Sequence, residues 1–181
     1  MTPAEPQALA SAAVGTNAAV DWRRFGTMLA LVAVPVFVLD QLVKLYIASH
    51  FKLYEQIDVI PHWLAITYTL NSGAAFSLFA TLPSAVRGLM LDGLAGAAVI
   101  VLGVLLARGT RPTLISAAFA LIMGGAAGNL LDRAVRGRVV DFIYVHYYSW
   151  SYPVFNIADS AITIGVALIL IHSVFAHDPE P

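Results

Sequence analysis

The chain has 181 residues, 59% of them hydrophobic and 12% charged, with a formal net charge of -1 and a mean hydropathy of +0.79. Soluble domains carry roughly 25% charged residues, so the composition excludes an ordinary soluble domain, and the near-neutral balance excludes a basic field for nucleic acid. Cysteine is absent, which excludes thiol catalysis, disulfides and cysteine-ligated metals. The five histidines, His50, His62, His146, His172 and His177, show no ligand spacing, so neither a metal nor another cofactor is indicated.

Residues 1–21 are alanine-rich, with Pro3 and Pro6, and lack the charged start, compact apolar core and cleavage site of a signal peptide. They read as a disordered tail. Residues 22–176 read as one membrane domain. Its first apolar block, about 25–47, is long enough to cross a bilayer, with Pro35 as a kink. Late in that block Asp40 and Lys44 lie one turn apart and can form an intrahelical ion pair. The following stretch holds Trp63 to Leu70, an apolar, threonine-rich run with strand character, and then Asn71-Ser72-Gly73, a turn. Asn71 and Gly73 either form a plain turn or present amide and backbone groups to an extended peptide.

A second span, about 88–107, and a third, about 112–131, are separated only by Arg108-Gly109-Thr110-Arg111. They predict a tight helical hairpin with Pro112 as the third helix's first residue. Gly124 and Gly128 have the GxxxG spacing that permits close packing on neighbouring spans. Asn129, Asp132 and Arg133 end this block, where Asp132 paired with an arginine would tie down the loop. Next come Val139 to Val145, a second strand, and an aromatic cluster of Tyr144, Tyr147, Tyr148, Trp150 and Tyr152 that suits the membrane interface. The fourth span runs over 156–175. The result is an all-α membrane protein of four transmembrane helices with a small β-containing surface segment, its termini on one side.

Four Lys and Arg near the termini side (Arg23, Arg24, Arg108, Arg111) face five near the other (Lys52, Arg87, Arg133, Arg136, Arg138), so their number sets no orientation. Arg23 and Arg24 before the first span favour a cytoplasmic N-terminus.

Two acids carry the chemistry. A carboxylate near hydrocarbon is costly unless paired or used. If Asn156 caps the fourth helix, Asp159 is its third residue, where capping and the helix dipole alone could explain it. Asp141 shares an extended strand face with Val139, Ile143 and Val145, and pairing with Arg133, Arg136 or Arg138 would be its plain explanation. Brought together, the two carboxyls could share one proton, with Asp159 as base on water and Asp141 as acid on a carbonyl. The alternative from another class is a small proton-coupled transporter or channel, which predicts acids near the midplane and an internal repeat. Asp141 and Asp159 instead lie at span ends, and no repeat is evident.

Five stretches in order, Leu39 to Lys44, Thr69 to Ser77, Gly124 to Arg133, Gly137 to Phe142 and Phe155 to Ala161, resemble the prolipoprotein signal peptidases, or signal peptidase II. The resemblance spans roughly residues 25–175. It implies an aspartic endopeptidase of the bacterial inner membrane, with both termini cytoplasmic and the active site near the extracytoplasmic surface. Its catalytic pair would be Asp141 and Asp159. Asp40, Lys44, Asn71, Gly73, Asn129, Asp132, Arg133, Asn156 and Ala158 would support the site or bind substrate. The implied substrate is a lipoprotein precursor whose lipobox cysteine bears diacylglyceryl, cut just before that cysteine. A monomer in membrane lipid, without a cofactor, is expected.

Overall fold

The computed structural model describes residues 20–73, 83–109 and 113–175. The expected tail up to residue 19, the motif from Ala74 onward and the expected helix start at Pro112 lie outside the described residues. Among those described, four helices are long and apolar enough to cross a membrane: Trp22–His50, Gly88–Arg108, Leu114–Arg136 and Ile157–Phe175.

The first span consists of α1 (Trp22–Met28), a π-helical turn (Leu29–Ala33) and α2 (Val34–His50). Asp21 caps α1 by accepting from Arg24 N at 3.0 Å. The expected kink at Pro35 takes the form of the π turn: proline has no N–H and crowds the carbonyl four residues back, and Val34 N–H reaches Leu29 O instead. Helix α3 (Ser84–Arg108) leads to α4 (Leu114–Arg136), which opens on a Thr113–Ser116 capping box and ends at Gly137 in the left-handed region, φ 71°. Glycine meets no Cβ penalty there. The third span was expected to stop near Leu131; it continues to Arg136 because Asp132, Arg133 and Arg136 all find ionic partners.

Helix α4 is the hub. Its apolar window is 56% buried, against 17% or less for the other three spans. Small residues allow this: a Cβ on Gly124 would lie 2.5 Å from Ala33 O, and one on Gly128 would lie 2.6 Å from Asp40 Oδ2. The glycine spacing therefore serves packing within the bundle.

At one end of the bundle lies an antiparallel sheet in the order β1 (Gln56–Ile60), β2 (Leu64–Asn71), β3 (Val139–Tyr147), β4 (Trp150–Ser151). Between the Ile66–Ile143 and Thr69–Asp141 pairs, β2 carries one residue more than β3, a bulge that re-aims the end of β2. Val140 and Phe142 point into a core with Ile47, Val43 and Ile157, rooting the sheet on α2 and α5 (Ile157–Phe175). With a side-chain period of two, Val139 and Asp141 face the other way, into a cleft. Ile143, expected on that same face, instead packs against the core, where β3 is paired on both edges by Ile66 and Phe155.

Candidate active site

Backbone pairing brings the two candidate acids together. Phe155 forms a bridge to Ile143, its N–H donating to Ile143 O at 3.1 Å and its carbonyl accepting from Phe142 N and Ile143 N at 3.0 and 2.8 Å. The next residue, Asn156, therefore begins α5 against β3. Its side-chain Oδ1 accepts from Asp159 N at 2.8 Å, and Asp159 Oδ2 accepts from Asn156 N at 3.3 Å. This is the expected reciprocal cap with an aspartate in the third position. The amide end of the same Asn156 donates to Asp141 Oδ1 at 2.7 Å. One asparagine thus touches both acids, and both line one cleft of about 390 Å³.

The remaining oxygens are also held by amides. Asn71 Nδ2 donates to Asp141 Oδ2 at 2.9 Å, and Asn129 Nδ2 donates to Asp159 Oδ1 at 2.8 Å. Asn71 is itself set by the turn after β2: its Oδ1 accepts from the N–H of Gly73, whose φ of 88° suits glycine. Burial and then the nearby Asp159 carboxylate push the Asp141 carboxyl up to about 7, while the Asn71 and Asn156 hydrogen bonds and the Lys44 charge pull against them.

Beneath the cleft lies a sealed ionic cluster. Asp40, Lys44 and Asp132 are fully buried, and Lys44 Nζ contacts Asp40 Oδ2 at 2.8 Å, Asp132 Oδ2 at 3.0 Å and Asn129 Oδ1 at 2.9 Å. An ammonium has three donors and no acceptor; all three are used, and Asn129 must turn its oxygen to Lys44 and its NH2 to Asp159. Each sealed acid also grips the residue before a cleft acid. Asp40 Oδ1 accepts from Ala158 N at 2.9 Å, and Asp132 Oδ2 accepts from Val140 N at 3.1 Å.

Every site residue singled out in the sequence therefore falls in this network or on the cleft wall. Asp132 meets its expected arginine in Arg136, four residues on and therefore on the same helix face, and it also contacts Lys44. Arg133 reaches Asp92 on α3, so the plain arginine partners proposed for Asp141 are engaged elsewhere in these two cases. Two further residues join the site: Asp92, whose signal in the sequence is an acid inside an apolar block, and Gln41, whose Nε2 donates to Asp40 Oδ2 and Gly128 O, each at 3.1 Å.

A family model described as signal peptidase (SPase) II matches residues 32–175. The lipoprotein signal peptidase of Yersinia enterocolitica is 45% identical over 139 residues, covering 76% of this chain and 81% of that protein. The lipoprotein signal peptidase of Pseudomonas fluorescens is 43% identical over 155 residues, covering 84% and 89%. Two solved structures titled as bacterial membrane enzymes superpose with a TM-score of 0.72 each. They are 34% and 31% identical and cover 86% and 91% of this chain, and 94% and 100% of their own. With a matching family model over most of its length and relatives of this identity, the chain belongs to the signal peptidase II family.

Proposed function

We propose that the protein is a membrane aspartic endopeptidase that removes the signal peptide from diacylglyceryl-modified prolipoproteins, cutting just before the lipidated cysteine. The observation that carries this reading is the joining of Asp141 and Asp159 through Asn156 at the wall of one cleft. Among the described residues, every hydrogen bond to their carboxyl oxygens comes from an amide. No cation is in direct contact with either acid among the described residues, so both retain the freedom to exchange a proton.

In this reaction the ionised Asp159 takes a proton from water as the water attacks the scissile carbonyl. Asp141, protonated near neutral pH, donates to the carbonyl oxygen and stabilises the tetrahedral intermediate. Asp159 then gives its proton to the leaving amide nitrogen as the carbon–nitrogen bond breaks, and Asp141 takes a proton back from the tetrahedral hydroxyl as the carbonyl of the new carboxyl group re-forms, which restores the starting pair. The pair shares these states as one coupled unit.

The cleft suits a substrate that is part peptide and part membrane. Leu91 and Leu94 of α3 and Ile162 of α5 line it beside Asn71 and Gly73 at the end of β2. Its walls are thus a polar sheet end and apolar helix faces. An extended segment can lie along the former while lipid remains against the latter. We place the cleft at the extracytoplasmic surface and the termini in the cytoplasm, with the Arg23–Arg24 flank of the first span in support. The transporter alternative has less support, since Asp40 and Lys44 are fully buried and line no path.

The test is cleavage by the purified protein of a precursor with and without diacylglyceryl on its cysteine. The lipidated form should be cut at the peptide bond immediately before that cysteine, as read by mass spectrometry, and the unmodified form should persist. A lipidated precursor left intact would overturn the reading.

A further inference from the structure

Asp92 lies within the apolar α3 span, where a carboxylate needs a use or a partner. Its Oδ1 is 2.5 Å from Arg133 Nε. The Asp92 side chain is 37% exposed and that of Arg133 14%, so the pair lies at the rim of the bundle and is not sealed as the Lys44 pairs are. Its position is more informative than its strength. Arg133 lines the same cleft as Asp141 and Asp159, and so do Leu91 and Leu94, which flank Asp92 in sequence. The pair therefore joins α3 to the end of α4 at the cleft wall.

The geometry of arginine adds a second point. A guanidinium has five N–H donors in one rigid plane, and Asp92 takes the one on Nε. Among the described residues no other hydrogen bond engages this guanidinium, so its two terminal amino groups remain available. The other cations near the site differ. Lys44 is saturated by three acceptors, and Arg136 is turned onto Asp132 through Nη1. Among the described residues, Arg133 is thus the cation that both lines the cleft and keeps donors to offer. Left on its own flexible stem, it could swing towards the cleft carboxylates and neutralise the pair.

We propose that Asp92 is a positioning residue: by holding Nε of Arg133, it fixes the guanidinium at the cleft wall and directs its terminal amino groups to a backbone carbonyl of the substrate's extended segment. The inference rests on the endopeptidase reading. An extended peptide entering the cleft carries carbonyls that must find donors once water is displaced, and a planar, charged donor held from behind supplies them.

The test is a double-mutant cycle on cleavage of the diacylglyceryl-modified precursor by the full chain, with the thermal midpoint measured for each variant. Asp92→Asn keeps size and removes charge. It should lower kcat/KM roughly tenfold, the scale of one charge-assisted hydrogen bond, mainly through a higher KM because the carbonyl contact exists before the chemical step. Asp92→Glu should recover most of the loss. Arg133→Gln should do at least as much damage as Asp92→Asn, and the double variant should be no worse than Arg133→Gln alone. Additive losses, or a lowered thermal midpoint with kcat/KM unchanged, would show a mere strap between helices and overturn the proposal. A wild-type protein that leaves the lipidated precursor intact removes the endopeptidase reading and this inference together; a cleaving wild type with additive variants removes the inference alone.

Discussion

Asp40, Asp132, Asp141 and Asp159 belong to one hydrogen-bond network yet sit in two kinds of surroundings. Asp40 and Asp132 are sealed, each with a cation in contact and a backbone N–H to hold. Asp141 and Asp159 line a cleft and are held by amides. A carboxylate with a buried cationic partner is fixed in charge, and removing its partner leaves an uncompensated ion. One held by neutral donors keeps its geometry yet can still gain or lose a proton. The contrast teaches that proximity to the site does not identify a reacting acid; the charge of its immediate partners does. Lys44 and Asn129 connect the two kinds, since Asn129 takes its orientation from Lys44 and passes it on to Asp159.

Replacing a cleft acid should have the largest effect on turnover. Asp141→Asn and Asp159→Asn should each lower kcat by at least ~10³-fold, as for other members of a cooperating set, while the thermal midpoint stays near that of the wild type. Substantial activity in either folded variant would break the comparison from its cleft side. The sealed side should fail differently. Lys44→Met leaves Asp40 and Asp132 without their shared ammonium, a loss of about 3–5 kcal/mol for a broken buried pair. The expected outcome is a poor yield of folded protein, read by its thermal midpoint in detergent. A Lys44→Met protein with normal stability but no turnover would move Lys44 into the chemistry.

The two kinds were unequally legible in the sequence. The spans show as apolar runs, and Asn156 shows as a helix cap with Asp159 three residues on, because both signals are local. Strand β1 gave no such signal: all five of its residues are exposed, so burial imposes no pattern on Gln56 to Ile60. The extra residue of β2 opposite β3 is equally invisible, since a bulge exists only once two strands are paired. For the site, local signals carried part of the way: the expected arginine partner of Asp132 is Arg136 at i+4, whereas the distant Lys44 that also holds this acid lies on another helix. Asp92 was missed because its partner lies 41 residues away on another helix. Composition alone could not link Asp141 to Asp159, since the bridge of Phe155 to Ile143 that aligns them is a tertiary event.

The acidity of Asp141 gives a finer test of the cleft side. Burial and the Asp159 charge raise this carboxyl to about 7, so its neutral form predominates below that pH and is lost above it. If Asp141 acts as the acid, kcat must fall as pH rises through about 7, and a pH–rate profile on the lipidated precursor should show that alkaline limb. A profile flat from pH 6 to 9 would remove Asp141 from the acid role. The smallest effect then identifies the group. Asn71 donates to Asp141 Oδ2 and lowers its affinity for a proton, so Asn71→Ala should carry the alkaline limb to higher pH, the direction opposite to that expected from a gain of positive charge in the cleft. Rate at the optimum should fall as well, because Asp141 loses one of the two amides that aim it. A lower rate with an unmoved limb would mean that Asn71 only shapes the cleft and that another group titrates. A limb that moves with Asn71 assigns it to the carboxyl that Asn71 touches, and so separates an amide-held, titrating acid from the cation-held acids beneath it.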